Sequence, residues 1–294
     1  MTEAIRSRND VKSRPAYPEI PEPLEVGTYD NHAHLEIEDG NPSLSVAEQL
    51  QLMRQAGMLG AVQVGVTLES SQWSAEVARS EPMLLAAVAI HPNEAPEYHD
   101  LGSLDAAIAE IALLCEQPRV RAVGETGLDF YRTQGEGELA LQLHSFQEHI
   151  AIAKAADVAL QIHDRDAHES VVKTLDRVGA PERVVFHCFS GDVELARICA
   201  DRGWYASFAG NITFKKNQHL RDALAELPPE LILVETDSPF LTPEPFRGRP
   251  NAPYLVPHTL RFMASLMEKN VSSLARQISE NTERVYGDWQ QGLA

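Results

Sequence analysis

The 294-residue sequence predicts an α/β fold, a (β/α)₈ TIM barrel with a closing C-terminal helix pair. Three observations predict it. About eight short β-rich runs recur along the chain, segments with an apolar period of 3.6 residues separate them, and several runs are apolar on both faces, as in Leu231–Val234. Eight strand–helix units favour a closed barrel. The alternative is an open doubly wound sheet, although no glycine-rich phosphate loop follows the first run.

The predicted strands are short runs rich in β-branched and apolar residues. They are Val26–Asp30, Ala61–Val66, Leu84–His91, Val120–Glu125, Ala159–His163, Val184–Phe189, Trp204–Ala209 and Leu231–Asp237. Helical periodicity marks the segments between them and the C-terminal tail. The helical segments include Ser45–Ala56, Leu104–Cys115, Leu139–Ala156, Asp166–Val178 and Val193–Asp201, with Thr259–Glu268 and Val271–Tyr286 as the closing pair.

Composition and charge limit the class of protein. The net charge of −18 has the wrong sign for broad electrostatic binding of nucleic acid, but bound cations and a local basic cluster can reverse the field inside a cleft. Three cysteines without C-x-x-C spacing indicate reduced thiols of a cytoplasmic protein, and no apolar run is long enough to span a membrane. No obligate protein partner is evident. Four prolines indicate a flexible or surface-draped arm over residues 1–24, followed by one barrel domain over 25–294.

The first strand carries the most unusual polar motif of the chain. In an extended strand Asp30, His32 and His34 point to the same face, and burying them without partners would be costly. A divalent cation removes that cost, because neutral imidazole nitrogens and carboxylate oxygens are common metal ligands. A hydrogen-bonded core histidine beside a solvated one is an equal alternative for this motif alone.

Metal-competent residues also end four other predicted strands. They are Glu125, His163, His187 and Asp237. In a barrel the carboxyl ends of the strands share one rim, so four histidines and two carboxylates should converge there. That set exceeds one tetrahedral metal and suits two ions that share a carboxylate.

These motifs resemble those of the TatD family of metal-dependent deoxyribonucleases, among the amidohydrolase-like barrels. The resemblance covers roughly residues 28–286. It rests on the following segments: Asp30–His34, Gly124–Asp129, His163 with Arg165–Ala167, His187–Gly191, Glu235–Pro239, and Arg249–Asn251 with Pro257-His258. Two positions depart from the family pattern, Asp164 after His163 and Asn93 after His91-Pro92.

The resemblance implies a binuclear divalent-metal site and a 3′–5′ exonuclease-like attack on phosphodiester bonds. His32, His34, Glu125 and Asp237 would hold one ion, and Glu125, His163 and His187 the other, with Glu125 bridging. Asp237 would also orient or deprotonate the attacking water, which makes Asp237 and Glu125 the catalytic pair. The ligand set suits Zn²⁺ or Mn²⁺ more than Mg²⁺. The expected partner is single-stranded or frayed DNA ends, or a small phosphodiester.

Four further residues are candidates for substrate binding, each with a structural alternative. His91 could contact the phosphate or begin a turn, whereas Arg165, Lys215 and Arg249 could bind phosphate or be solvated. Two other functions stay open at this point. The same metals could hydrolyse another small ester or amide, or the barrel could bind metal without catalysis.

Overall fold

The structure is a computed structural model that describes residues 3–8 and 15–292. Its strands within those residues are β1 (Arg6–Ser7), β2 (Thr28–Ala33), β3 (Ile37–Glu38), β4 (Met58–Val64), β5 (Leu84–Val88), β6 (Val120–Asp129), β7 (Ala159–Arg165), β8 (Val184–Phe186), β9 (Tyr205–Phe208) and β10 (Ile232–Val234). Strands β2 and β4–β10 form one eight-stranded sheet in unbroken sequence order. A doubly wound sheet would reverse its order at a switch point. The predicted (β/α)₈ barrel is therefore confirmed.

The first strand of the barrel, β2, is joined to the segment that follows its last strand, β10. Ala33 and Ser238 form a parallel β-bridge. On either side of it the Asp237 amide donates to the His32 carbonyl and the His34 amide to the Ser238 carbonyl, both at 2.9 Å. These bonds occupy backbone groups that an open sheet would leave unpaired at its edges.

The helices of the described residues lie between the strands and after the last one. They are α1 (Val46–Gln55), α2 (Leu68–Ser80), α3 (Ala95–Asp100), α4 (Leu104–Leu114), α5 (Glu136–Ala156), α6 (His168–Val178), α7 (Val193–Arg202), α8 (Gln218–Glu226), α9 (Val256–Leu266) and α10 (Val271–Tyr286). The apolar periodicity of the sequence did not predict α2, α3 or α8. The first of these buries three serines together with four apolar residues, so polar residues interrupt its apolar face; the buried residues are Ser70, Ser71, Trp73, Ser74, Ala75, Val77 and Ala78. No helix in the described part of the chain is long and apolar enough to cross a membrane.

The chain packs as two compact units. The first comprises Met1–Gln63 and Gly191–Arg284, and the second comprises Val64–Ser190 and Val285–Ala294. In the second unit every residue of β5 is fully buried, as are all three residues of β10 in the first unit. Each unit therefore has its own apolar layer beneath the carboxyl ends of its strands.

All eight barrel strands end at residues other than the predicted ones, and hydrogen bonds or strand pairing explain the difference for β5 and β6. Strand β5 stops at Val88 because the next two amides donate to side chains, Ala89 to Ser71 Oγ at 3.1 Å and Ile90 to His149 Nε2 at 3.1 Å. Strand β6 instead continues past Glu125 as far as Asp129, because after a shift of register it pairs with β7 up to Arg165. The extension brings Asp129 into line with the polar end of β7.

The described part of the N-terminal arm lies along the first unit. Strand β1 pairs in parallel with β3. Further on, the Tyr17 hydroxyl donates to the Asp39 carbonyl at 3.1 Å and the Tyr254 hydroxyl to the Pro18 carbonyl at 2.6 Å. The prediction of a flexible arm also covers residues 1, 2 and 9–14, which lie outside the described residues. The flexibility of the arm and the domain boundary at residue 25 stay predictions.

Candidate metal centre

In the first unit, two imidazoles at the end of β2 meet a carboxylate that follows β10. His32 Nε2 and His34 Nε2 lie 3.2 Å apart. Asp237 Oδ1 lies 3.6 Å from His34 Nε2 and 4.0 Å from His32 Nε2. We call these three residues the first cluster. Both imidazoles are buried, while 15% of the Asp237 side chain remains exposed. Two nitrogens and one oxygen thus converge within one ion's reach, and the oxygen remains open to solvent.

The backbone at Asp237 explains why its side chain turns towards the histidines. Its φ of 53° lies in the left-handed region, which few non-glycine residues adopt. The conformation is held by the hydrogen bond from the Asp237 amide to His32 and by one from the Phe240 amide to the Asp237 carbonyl, 2.9 Å each. Unusual backbone of this kind is concentrated at functional sites.

Asp30, the first residue of the strand motif, has a different set of contacts. Its carboxyl group accepts hydrogen bonds from the Thr236 amide at 2.9 Å and from the Thr236 hydroxyl at 2.5 Å. Complete burial raises the pKa of Asp30 to about 8, against the opposing effect of these hydrogen bonds. Asp30 therefore ties β2 to the segment that carries Asp237.

In the second unit, one carboxylate oxygen is surrounded by three imidazoles. Glu125 Oε1 lies 2.7 Å from His163 Nδ1, 2.9 Å from His187 Nε2 and 3.3 Å from His91 Nε2. We call these four residues the second cluster. Ligand atoms of His91, Glu125 and His163 all lie within 4.8 Å of one another. The structure therefore brings His91, predicted as a substrate contact, to the distance of a ligand.

Close backbone approach fixes the position of Glu125 on β6. A Cβ atom on Gly124 would lie 2.5 Å from Gln161 Cβ, and one on Gly127 would lie 2.1 Å from the His163 carbonyl oxygen. Gly127 also has a φ of +141°, which side chains disfavour. Only glycine at these two positions lets β6 approach β7 closely enough for Glu125 and His163 to meet.

A second carboxylate, absent from the predicted site residues, supports His163 from the other side. Asp129 Oδ2 lies 3.2 Å from His163 Nε2, and it accepts a hydrogen bond from Asn93 Nδ2 at 2.8 Å. The Asp129 amide in turn donates to Gln142 Oε1 at 2.9 Å. The signal for Asp129 was its place at the end of the Gly124–Asp129 motif. Asn93, noted as a departure from the family pattern, holds that carboxylate in position.

The electrostatics of the second cluster follow from these contacts. Burial would raise the pKa of Glu125, but the surrounding imidazoles outweigh it and hold that pKa well below its usual range. For His163 burial alone would lower the pKa, but the hydrogen bonds to Asp129 and Glu125 outweigh burial and raise the pKa above its usual value. His91 is dominated by burial, which lowers its pKa to about 4. A neutral His91 beside an ionised Glu125 is the protonation state that a metal cation requires.

Comparison with known proteins identifies the family. A family model described as TatD related DNase matches residues 29–287. The chain belongs to the TatD family. It is 39% identical over 261 residues to a TatD protein of Mycobacterium tuberculosis named as an uncharacterized metal-dependent hydrolase, covering 88% of this chain and 97% of that protein. A similarly named hydrolase of Bacillus subtilis, YabD, is 33% identical over 260 residues, covering 88% and 98%.

A solved structure supports the same assignment. The TatD homologue YJJV of Escherichia coli superposes with a TM-score of 0.79 at 27% identity, over 89% of this chain and 98% of the other. The protein is therefore a metal-dependent hydrolase of the TatD family, and the expectation from the sequence motifs is confirmed at that level.

The donor sets of this TatD-family chain fit divalent cations. The first cluster offers His32, His34 and Asp237, and the second offers imidazoles around Glu125. Each set combines imidazole nitrogen with carboxylate oxygen, as Zn²⁺ and Mn²⁺ sites do. The clustering of like donors in buried positions is costly without a cation to share them. The number of ions, and the bridging role of Glu125, stay predictions.

The three basic side chains that were predicted to bind phosphate differ in their surroundings. The Arg165 guanidinium stacks 4.0 Å from the ring centre of Tyr131, a side chain that is 59% exposed. Lys215 is exposed. Arg249 donates to the carbonyl oxygens of Ala16, at 2.9 Å, and Tyr17 in the N-terminal arm. Arg165 thus lies two residues after the cluster residue His163 on the same strand, whereas Arg249 has a structural partner in the arm.

Proposed function

We propose that this protein is a deoxyribonuclease that hydrolyses phosphodiester bonds at single-stranded or frayed DNA ends, in a 3′–5′ exonuclease-like manner and with two divalent cations. Membership of the TatD family supports hydrolysis and metal dependence. The description of the family model as a related DNase supports the choice of DNA. The proposal further assigns one cation to each cluster, with Glu125 shared between them.

The observation that carries the proposal is the position of Glu125 Oε1 among three imidazole nitrogens at 2.7, 2.9 and 3.3 Å. A purely structural carboxylate needs one or two hydrogen-bond donors, and a third imidazole adds a further buried polar group. Cation binding accounts for all three at once, because each imidazole then presents a lone pair to a positive charge.

The residues of the chain divide the chemistry between them. When bound, divalent cations would polarise the phosphoryl oxygen and lower the pKa of a water molecule. Asp237, whose side chain remains partly exposed beside His34, would orient the attacking water and accept its proton. Asp129 would hold His163 in the orientation that Glu125 requires. His91 would contact the phosphate or a cation from the loop that follows β5.

Substrate choice follows from charge and access. With a net charge of −18 the protein repels a duplex that lies across its surface, so DNA should enter by its ends. Arg165 is the preferred phosphate contact, because it stands two residues after His163 on β7. Lys215 and Arg249 are proposed as weaker contacts. The sequence has three cysteines, Cys115, Cys188 and Cys199, without C-x-x-C spacing, which suits a reducing cytoplasm, and we propose the cytoplasm as the location.

The test compares substrates under one set of conditions. Purified protein is stripped with a chelator and assayed after addition of Mn²⁺, Zn²⁺ or Mg²⁺ on 3′-labelled single-stranded DNA and on chromogenic ester, amide and phosphodiester substrates. We expect metal-dependent release of the 3′ label at rates above those on the small substrates. The Asp237→Asn protein serves as the matched control for contaminating nucleases. Metal-dependent ester or amide cleavage without DNA cleavage would contradict the proposal.

A further inference from the structure

The N-terminal arm contributes a strand beside the first cluster. Strand β1 pairs with β3, so that Arg6 lies opposite Ile37 and Ser7 opposite Glu38. The Arg6 amide also donates to the Glu36 carbonyl at 3.0 Å, and the Arg8 amide to the Glu38 carbonyl at 3.2 Å. Strand β3 begins three residues after His34, whereas the arm precedes the segment 29–287 that matches the family. Strand β1, which the family match does not include, therefore pairs with a strand that lies close to His34 in the sequence.

The side chain of Arg6 continues this contact towards His34. Its Nη1 lies 3.4 Å from Glu36 Oε1, and the same oxygen lies 3.6 Å from His34 Nδ1. The Glu36 side chain is completely buried, and its other oxygen accepts a hydrogen bond from Gln63 Nε2 at 2.7 Å. A buried carboxylate is costly without a cationic partner, and Arg6 supplies one.

The side chain of Arg8 contacts the segment that follows Asp237, the third residue of the first cluster. Its Nη1 lies 3.0 Å from Asp39 Oδ2 and donates to the Pro239 carbonyl at 3.3 Å. Its guanidinium also stacks on the Phe240 ring, 5.0 Å from the ring centre, and Phe240 in turn packs at 6.4 Å against the His34 ring. Arg8 thus links the arm to the segment that directly follows Asp237.

From these contacts we infer that Arg6 and Arg8 of the N-terminal arm are positioning residues for the cation of the first cluster. Arg6 acts through Glu36, which faces Nδ1 of His34 and so leaves Nε2 to face the ion, as carboxylates do behind many metal-ligating histidines. Arg8 acts on the backbone around Pro239 and so on the orientation of Asp237. The inference rests on the proposed function in one respect, namely that the first cluster binds a divalent cation.

The experiment measures cation affinity in the full-length protein without DNA. Chelator-treated wild type and the Arg6→Gln, Arg8→Gln and doubly substituted proteins are titrated with Mn²⁺ by calorimetry. We expect Arg6→Gln and Arg8→Gln each to lower the affinity for the same one of the two ions about 10-fold, the lower end of the loss seen for outer partners of ligands, and to leave the affinity for the other ion unchanged. Arg6→Lys should restore most of the affinity, because a lysine keeps the positive charge beside Glu36.

Two further variants separate positioning from general stabilisation. Arg261→Gln removes a different contact of the arm, the bond to the Glu22 carbonyl at 2.6 Å, and should leave both affinities unchanged. Glu36→Gln should weaken the same ion as Arg6→Gln, and the doubly substituted Arg6/Glu36 protein should lose less than the sum. Unchanged affinities in Arg6→Gln, or an equal loss at both ions, would overturn the inference. Wild-type protein that binds cations but cleaves no DNA would count against the proposed function alone, since this readout needs no DNA.

Discussion

Replacing Glu125 by alanine should remove bound metal more completely than any other single change in the second cluster. The carboxylate is buried, and one of its oxygens contacts three imidazole nitrogens at 2.7–3.3 Å. Removing an outer partner of a metal ligand already weakens metal binding by about 10- to 100-fold. Loss of this central ligand should therefore weaken cation binding by at least about 10²-fold, or about 2.8 kcal/mol at about 1.4 kcal/mol for each factor of ten. If Glu125 also bridges to the first cluster, both ions should be lost.

The assay measures metal content by elemental analysis after dialysis against a fixed Mn²⁺ concentration, followed by calorimetric titration. His163→Ala is the informative comparison, because it should release mainly one ion. Glu169→Gln is the matched control, since Glu169 is an exposed carboxylate on α6 that pairs with Lys173. Loss of one ion only in Glu125→Ala would refute the bridging role. Metal content equal to that of wild type would refute the second cluster as a metal site.

Four other predictions follow from the same structure. Asp237→Asn should fold normally and keep most of its metal, but its kcat should fall about 10²- to 10⁴-fold with little change in KM, because an amide cannot accept a proton; near wild-type turnover would contradict this. Arg165→Gln should raise KM for single-stranded DNA about 10-fold, and the difference should shrink at high salt. Arg119 donates five hydrogen bonds to backbone carbonyls, three of them buried, so Arg119→Leu should lower the unfolding free energy by about 3–5 kcal/mol in urea titrations. Burial lowers the pKa of His149 to about 4. The unfolded chain, with a His pKa near 6.5, then binds that proton more tightly, so stability falls as the pH drops from about 6.5 towards 4. Between pH 6.5 and 5 the unfolding free energy of His149→Gln should fall by about 1.6 kcal/mol less than that of wild type, and parallel losses would refute this account.

Local chemistry made the fold predictable, and it also indicated which candidate site residues would lie close together. Alternation of β-rich runs and helical periodicity reports burial on one face or both, and it predicted the eight-stranded order correctly. Polar residues such as His32 and Glu125 are conspicuous near strand ends because the strands of a parallel sheet are otherwise almost entirely apolar. The helices that the sequence did not predict are short, as α3 and α8 are, or bury serines among their apolar residues, as α2 does, and both features weaken the periodic signal.

Long-range register, by contrast, is invisible to local patterns. Asp129 joins His163 only because β6 shifts register and continues along β7, a consequence of two glycines whose neighbours lie 35 or more residues away. Strand β5 ends early because Ser71 and His149 accept the amides that a further strand residue would have paired. Such bonds join residues distant in sequence, and no periodicity encodes them.

The sequence by itself determined the class of fold, the family and the residue types able to bind metal, since these depend on side-chain chemistry and short spacings. Only the tertiary structure decided which atoms meet. In the tertiary structure His91 contacts Glu125, Arg249 donates hydrogen bonds to carbonyl oxygens of the arm, and Arg6 forms an ion pair with Glu36. The physical reason is that a contact depends on backbone paths from separate parts of the chain, and a charged residue in an isolated segment carries no information about which partner will neutralise it.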